Sequence, residues 1–246
     1  MTDTAHSPDP LIKVLRVLAT LILAVSICLA IAIPALNAEI FLAGSNYLQL
    51  ISAVLGTVTC LILWHQEGRA KQFLYAAGAF GIWAISNAAW YVGVYFGMRN
   101  LVFPSLIDMG FLAFMFLLAS AFQIAFPRSR ISPKISLGLL ILILITPAAI
   151  LLMKGITAAT MMVFLYFFFA AALLVIGLAH SFLKRPLLLA GALLYCIAFT
   201  LYPLRESHII TSPYLSVIGT FVTASFCLVI LGFLPGTCVK SERDKV

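Results

Sequence analysis

The sequence predicts an all-α, polytopic membrane bundle of eight transmembrane helices, and three observations carry that reading. The chain is 63% hydrophobic and 9% charged, with a mean hydropathy of +1.14, which is far from the composition of soluble domains. Its apolar residues gather into runs that approach or exceed the roughly 20 residues a helix needs to cross a bilayer. The breaks between runs carry turn and charge signals such as HQEGR, PRSRISPK, LKRP and RESHIITSP.

A polar tail, residues 1–10, precedes the first run at 11–36. Lys13 and Arg16 stand ahead of that run and PALNAE follows it, so a cleaved signal peptide has to be weighed. Leu36 occupies the position three before such a cut, where a small residue is required, and the apolar region is too long. The first run therefore reads as an uncleaved helix. The remaining runs cover 46–64, 70–97, 105–126, 135–153, 156–182, 187–204 and 214–235, and a short polar tail occupies 236–246.

The lysines and arginines set the orientation. With both termini in the cytoplasm, 12 of the 15 basic residues lie inside, leaving Arg99, Lys154 and Arg205 outside. This satisfies the positive-inside rule and places the chain in the plasma (cytoplasmic) membrane. The net charge of +7 reads as orientation toward the lipid bilayer, and no nucleic-acid partner is expected.

The third run, AAGAFGIWAISNAAWYVGVYFG, differs from its neighbours. Ala77 and Gly81, then Ala84 and Ala88, are small residues four apart that let another backbone come close. Phe80, Trp83, Asn87 and Trp90 recur at helical spacing and share a face. Asn87 lies roughly 15 Å below the outer loop at 1.5 Å per residue. Its amide requires partners inside the bundle, either another helix or a ligand.

The fourth run opens with Pro104-Ser105-Leu106-Ile107-Asp108, a helix start with Ser105 as N-cap and Asp108 at N3. The carboxylate satisfies backbone amides and faces the positive end of the helix. An additional role remains open for it. Arg99, Arg205, Glu206 and His208 crowd the same outer face, and an arginine could pair with Asp108 at the mouth of an aromatic-lined cavity. The fifth run is nearly pure Leu and Ile, as lipid-facing surface should be, with Pro147 a kink site.

A hairpin repeats. Gly78-Ala79 leads through an outer loop to Pro104, Leu106 and Gly110; Gly191-Ala192 leads to Pro213, Leu215 and Gly219. Trp83, Trp90 and Tyr91 are echoed by Tyr195, Phe199 and Tyr202. The expectation is two parallel four-helix halves, 11–126 and 135–235, with a site between them as in repeat-built transporters.

No cofactor is expected. Cys28, Cys60, Cys196 and Cys227 are isolated in four runs and Cys238 in the tail, away from metal-ligand spacing or an outer-loop disulfide. His65 and His180 end runs on the inner side, where headgroup contact is commoner than haem ligation. A retinal Schiff base requires a mid-membrane lysine, and every Lys here sits at or beyond a run's end.

The segment with Trp83, Trp90, Tyr91, Gly97, Pro104, Ser105, Leu106, Asp108 and Phe111 has the pattern W…WY…G…PSLxD. It resembles the multi-helix membrane sensor regions that precede diguanylate cyclase and histidine kinase domains. The resemblance covers about residues 81–122. It implies a sensor-like bundle, here without its own output domain, signalling to a separate kinase, cyclase or other membrane protein.

The favoured expectation is a non-enzymatic sensor-like module. It binds an apolar or amphipathic, lipid-like ligand, or a membrane partner, near its outer face. Trp83, Asn87, Trp90, Tyr91, Asp108, Tyr202 and Arg205 are the candidate lining residues. A small-solute transporter is the alternative, although Thr57, Gln123 and Ser181 are scattered rather than a through-going polar row. A membrane-embedded enzyme is the third reading, with Asp108 and His208 the available acid–base pair.

Overall fold

A computed structural model describes residues 9–32, 38–96, 103–126, 132–181, 185–207, 209 and 217–235. Among these residues there are eight helices and no strand: α1 (Pro10–Ala32), α2 (Ala38–Gln66), α3 (Lys71–Tyr95), α4 (Leu106–Ala125), α5 (Pro133–Lys154), α6 (Ala158–Ser181), α7 (Pro186–Glu206) and α8 (Ile218–Phe233). The expected tails, apart from Asp9 and Pro10, lie outside the described residues, as do Arg99, His208 and Cys238.

Six helices are long and apolar enough to cross a membrane, namely α1, α2, α4, α5, α6 and α7. The chain is a multi-pass, all-helical membrane protein. The count of such helices falls short of eight for two physical reasons. Trp83, Ser86, Asn87, Trp90 and Tyr91 dilute the hydropathy of α3, and α8 is apolar but has only 16 described residues.

Helices α3 and α4 form one closely packed hairpin, α7 and α8 another. Around them, α2 packs on α3 and α8, and α6 packs on α7 and α4. Exchanging the first four helices for the last four maps these neighbours onto one another. The outer helices break the pattern, since α1 rests chiefly on α8 whereas α5 rests on α6. Only 11% of the α5 span and 17% of the α1 span are buried, against 50% for α4 and α7. These two helices form the periphery, and Pro147 lies within an unbroken α5 as one of its two buried residues, with Ile150.

Lipid gives helices no hydrophobic reason to associate, so the bundle depends on shape and on hydrogen bonds. Gly191 shows how. A Cβ there would stand 2.9 Å from the Ser225 carbonyl oxygen and 2.7 Å from Val229 Cγ2, so only glycine admits α8 this closely. At that contact Ser225 Oγ donates to the Gly191 carbonyl at 2.8 Å.

Aromatic rings fill the centre. Trp83 of α3, 1% exposed, has the rings of Phe111, Phe114, Phe199 and Phe226 within 4.3–5.3 Å of its own. Phe80 lies one turn further down α3, edge-on to Phe114 and Phe226.

At the end where α1 begins, polar groups tie the helices together. Asp9 accepts from the Leu11 amide at 2.9 Å and from the Gln66 side chain at 2.7 Å, joining α1 to α2. Arg16 donates to the Pro235 carbonyl, and Arg185 donates to the Gly232 and Leu234 carbonyls at 3.2 and 3.3 Å. Both arginines thus serve the carbonyl end of α8, where a helix dipole favours cations.

Candidate functional site

The site lies at the opposite end, where α4 and α8 begin and α3 and α7 finish. Asp108 is built into it as the sequence suggests. Its Oδ2 accepts from the Ser105 backbone N–H at 2.7 Å and from the Ser105 hydroxyl at 2.9 Å, so the acid closes the first turn of α4. The other oxygen reaches further. Oδ1 accepts from the Tyr166 hydroxyl at 2.7 Å and from the Tyr202 hydroxyl at 3.3 Å. One carboxylate, 2% exposed, therefore joins α4, α6 and α7.

Of the two arginines that could pair with Asp108, Arg99 lies outside the described residues. Among the described residues no cation lies within salt-bridge distance of Asp108, and Arg205 stands 3.9 Å from Glu206. The charge is satisfied by four hydroxyl and amide donors. Phe103 and Phe111 place their rings 6.3 Å from that of Tyr202, covering the junction with hydrocarbon.

Beside this junction is a recess of about 150 Å³. Its floor is apolar, made by Trp83, Phe111, Phe199 and Val222. Above the floor come Asn87 of α3, Gln49 of α2 and Tyr202 of α7. Asn46, Trp90, Arg205 and Glu206 form the rim, and Ile218 and Gly219, the first turn of α8, form one side. The amides are linked, since Gln49 Nε2 donates to Asn46 Oδ1 at 3.1 Å and Asn87 Nδ2 donates to the Asn46 carbonyl at 3.5 Å. Asn87 thus touches a second helix and also lines the recess.

Of the seven residues singled out from the sequence, Trp83, Asn87, Trp90, Tyr202 and Arg205 meet around this one recess. Two stand apart. Tyr91 turns toward α2 and stacks on Tyr47 at 5.1 Å, its buried hydroxyl without a partner. Asp108 sits one layer behind, in contact with the recess only through Tyr202. His208, the other half of the acid–base pair, lies outside the described residues.

Sequence reasoning passed over Asn46 and Gln49. The signal for Gln49 was present, because Ser45, Gln49 and Ser52 follow one another at intervals of four and three and so share a face of α2, and all three are buried. Tyr166 had no such signal: it stands among phenylalanines, and its partner is 58 positions away.

Among the described residues no three His, Cys, Asp or Glu side chains gather as a metal site would require. Cys60, Cys196 and Cys227 are buried, and Cys196 Sγ donates to the Ala170 carbonyl at 2.9 Å. What the recess can do chemically is bind: its floor accepts hydrocarbon or a ring, and its polar layer offers amides, a hydroxyl and a guanidinium. No family model, curated protein or solved structure matches this chain.

Proposed function

We propose that the protein is a sensor-like, non-enzymatic membrane module that takes an apolar or amphipathic ligand, or the apolar part of a membrane partner, into the recess between α2, α3, α4, α7 and α8. The observation that carries this reading is the layering of the cavity. Two amides, Asn87 and Gln49, and the Tyr202 hydroxyl stand directly above a floor of aromatic rings, as an amphipathic guest requires. Helix rearrangement would pass the signal to a separate protein, and the resemblance of the W…WY…G…PSLxD segment supports that part. Tyr202 offers the route, since the same side chain walls the recess and bonds the Asp108 junction.

We also propose that the recess opens outward with both termini in the cytoplasm. Lys13, Arg16, Arg69, Lys71, Lys134 and Arg185 lie at the opposite end, where the positive-inside rule places the cytoplasm. Labelling of single cysteines in intact cells tests this: a cysteine at Lys154 should react with an impermeant maleimide, and one at Lys71 should not.

The binding reading is tested on the full chain in lipid nanodiscs. Native mass spectrometry and quenching of tryptophan emission should detect bound amphiphile, and Asn87→Leu with Trp90→Ala should weaken it about tenfold or more. Equal binding by wild type and the double variant would refute the reading.

One observation favours a transporter as the second reading. Below Gln49, α2 buries Ser52 and Thr59, and Thr59 Oγ1 has no partner. A polar line thus runs down α2 beneath the recess. The rings of Phe80, Trp83, Phe114 and Phe226 close the space beside it, which favours a closed-floor receptor. Ligand accumulation in sealed proteoliposomes would reverse that preference.

A further inference from the structure

We infer that the ligand of this recess is a small amphipathic anion, a carboxylate whose flat or short apolar body lies between the aromatic walls and whose charge meets Arg205. The inference rests on the reading that the recess binds a ligand at all. Size comes first: about 150 Å³ is close to the volume of an engineered apolar cavity that takes up benzene. The guest's enclosed part is therefore about one ring or a short chain. Trp83, Trp90, Phe111, Phe199 and Tyr202 supply walls for it.

The polar groups decide the charge. Arg205 stands at the rim of the recess and the first turn of α8 forms one side of it. The Arg205 guanidinium approaches Glu206 only at 3.9 Å through Nε, beyond hydrogen-bond range. That geometry leaves its paired N–H edge for a carboxylate, the planar partner it fits best.

The first turn of α8 adds to this. Ile218 and Gly219 line the recess, Val217 at the cap position has no side-chain acceptor, and Gly219 has no side chain to screen its amide. The positive end of the helix dipole therefore faces the guest. An aromatic box with Glu206 at its rim would also suit a cation, but Arg205 and the α8 terminus both oppose one. Guanidinium and helix end both call for a negative group.

Three ring-matched probes separate the possibilities: benzoate, benzyl alcohol and benzyltrimethylammonium, titrated into the full chain in nanodiscs with tryptophan emission as readout. Trp83 and Trp90 are two of the chain's three tryptophans, so occupancy should change the signal. Benzoate should bind about tenfold more tightly than benzyl alcohol. Arg205→Gln should erase that advantage while leaving benzyl alcohol unchanged, and Arg205→Lys should restore part of it. Equal binding of all three probes, tighter binding of the ammonium, or a benzoate advantage that survives Arg205→Gln would overturn the anion assignment and leave the recess reading standing. Binding by none of the three would overturn both.

Discussion

Helices α4 and α8 begin at the same end of the bundle, yet one start is closed by an acid in its own first turn and the other, among the described residues, has no side-chain cap. At α4 the acid three residues into the helix closes its own first turn and collects two tyrosines, so both of its oxygens are already engaged. At α8 the corresponding position, counted from Pro104 and Pro213, is Val217, and the first turn faces a cavity instead. Gly110 and Gly219, which share that register, are alike in one respect: a Cβ at Gly110 would strike Ser86 Oγ of the adjacent α3, and one at Gly219 would stand 2.8 Å, too close, from Ser45 Oγ and Gln49 Nε2 of α2. A helix start that supplies its own negative charge becomes a joint. One that lacks it retains binding capacity.

The largest effect should come from breaking the joint. Asp108→Ala leaves the Tyr166 hydroxyl and the Ser105 amide buried without an acceptor, and should cost about 3 kcal/mol or more in unfolding measured in detergent. Val217→Ala, at the equivalent register, should cost less than about 1 kcal/mol by the same assay; comparable losses would erase the contrast. Copying one start into the other is the sharper challenge. Val217→Asp should lower benzoate affinity about tenfold, as a fixed carboxylate takes over the helix end, with unchanged affinity for benzyl alcohol.

A smaller effect separates the two tyrosines at Asp108. Tyr166→Phe removes a 2.7 Å bond and Tyr202→Phe a 3.3 Å bond. The first should destabilise by about 1–1.5 kcal/mol and the second by about half that. The reverse order would mean that Tyr202 holds the joint. Tyr91→Phe runs the other way: its hydroxyl is buried with no partner, so its removal should stabilise the fold by about 1 kcal/mol, and a loss of stability would mean that the hydroxyl is satisfied.

Much of this was legible in the sequence because lipid enforces simple rules. The fourth run, expected at 105–126, is the helix Leu106–Ala125, since a proline and a capping pair mark its start. Boundaries drawn at charged residues fared worse. The seventh run was expected to stop at 204, but α7 continues through Arg205 and Glu206, with Pro203 inside it. That extra half-turn places Arg205 over the recess instead of in a loop. The second run was expected to begin at 46, but α2 starts at Ala38.

The face shared by Phe80, Trp83 and Asn87 follows from helical spacing alone, and all three are buried. What spacing could not reveal was which helices would face it. The amides opposite come from α2, and Asp108's second pair of bonds comes from α6 and α7, partners set by folding across 58 and 94 positions. The stacking of Tyr91 on Tyr47 belongs to the same class.

The seating of α1 against α8 bears on how the molecule is made. Helices leave the ribosome in order, so α1 must wait in the bilayer while six others are synthesised before its principal neighbour arrives. Arg16, charged and near the membrane surface, has no Pro235 carbonyl to hold until then. Assembly therefore closes late: the contacts of α8 with α1, α2 and α7 form last, and a ribosome stalled before α8 would leave the carbonyl of Gly191 and the Arg16 and Arg185 guanidinium groups without the partners α8 brings.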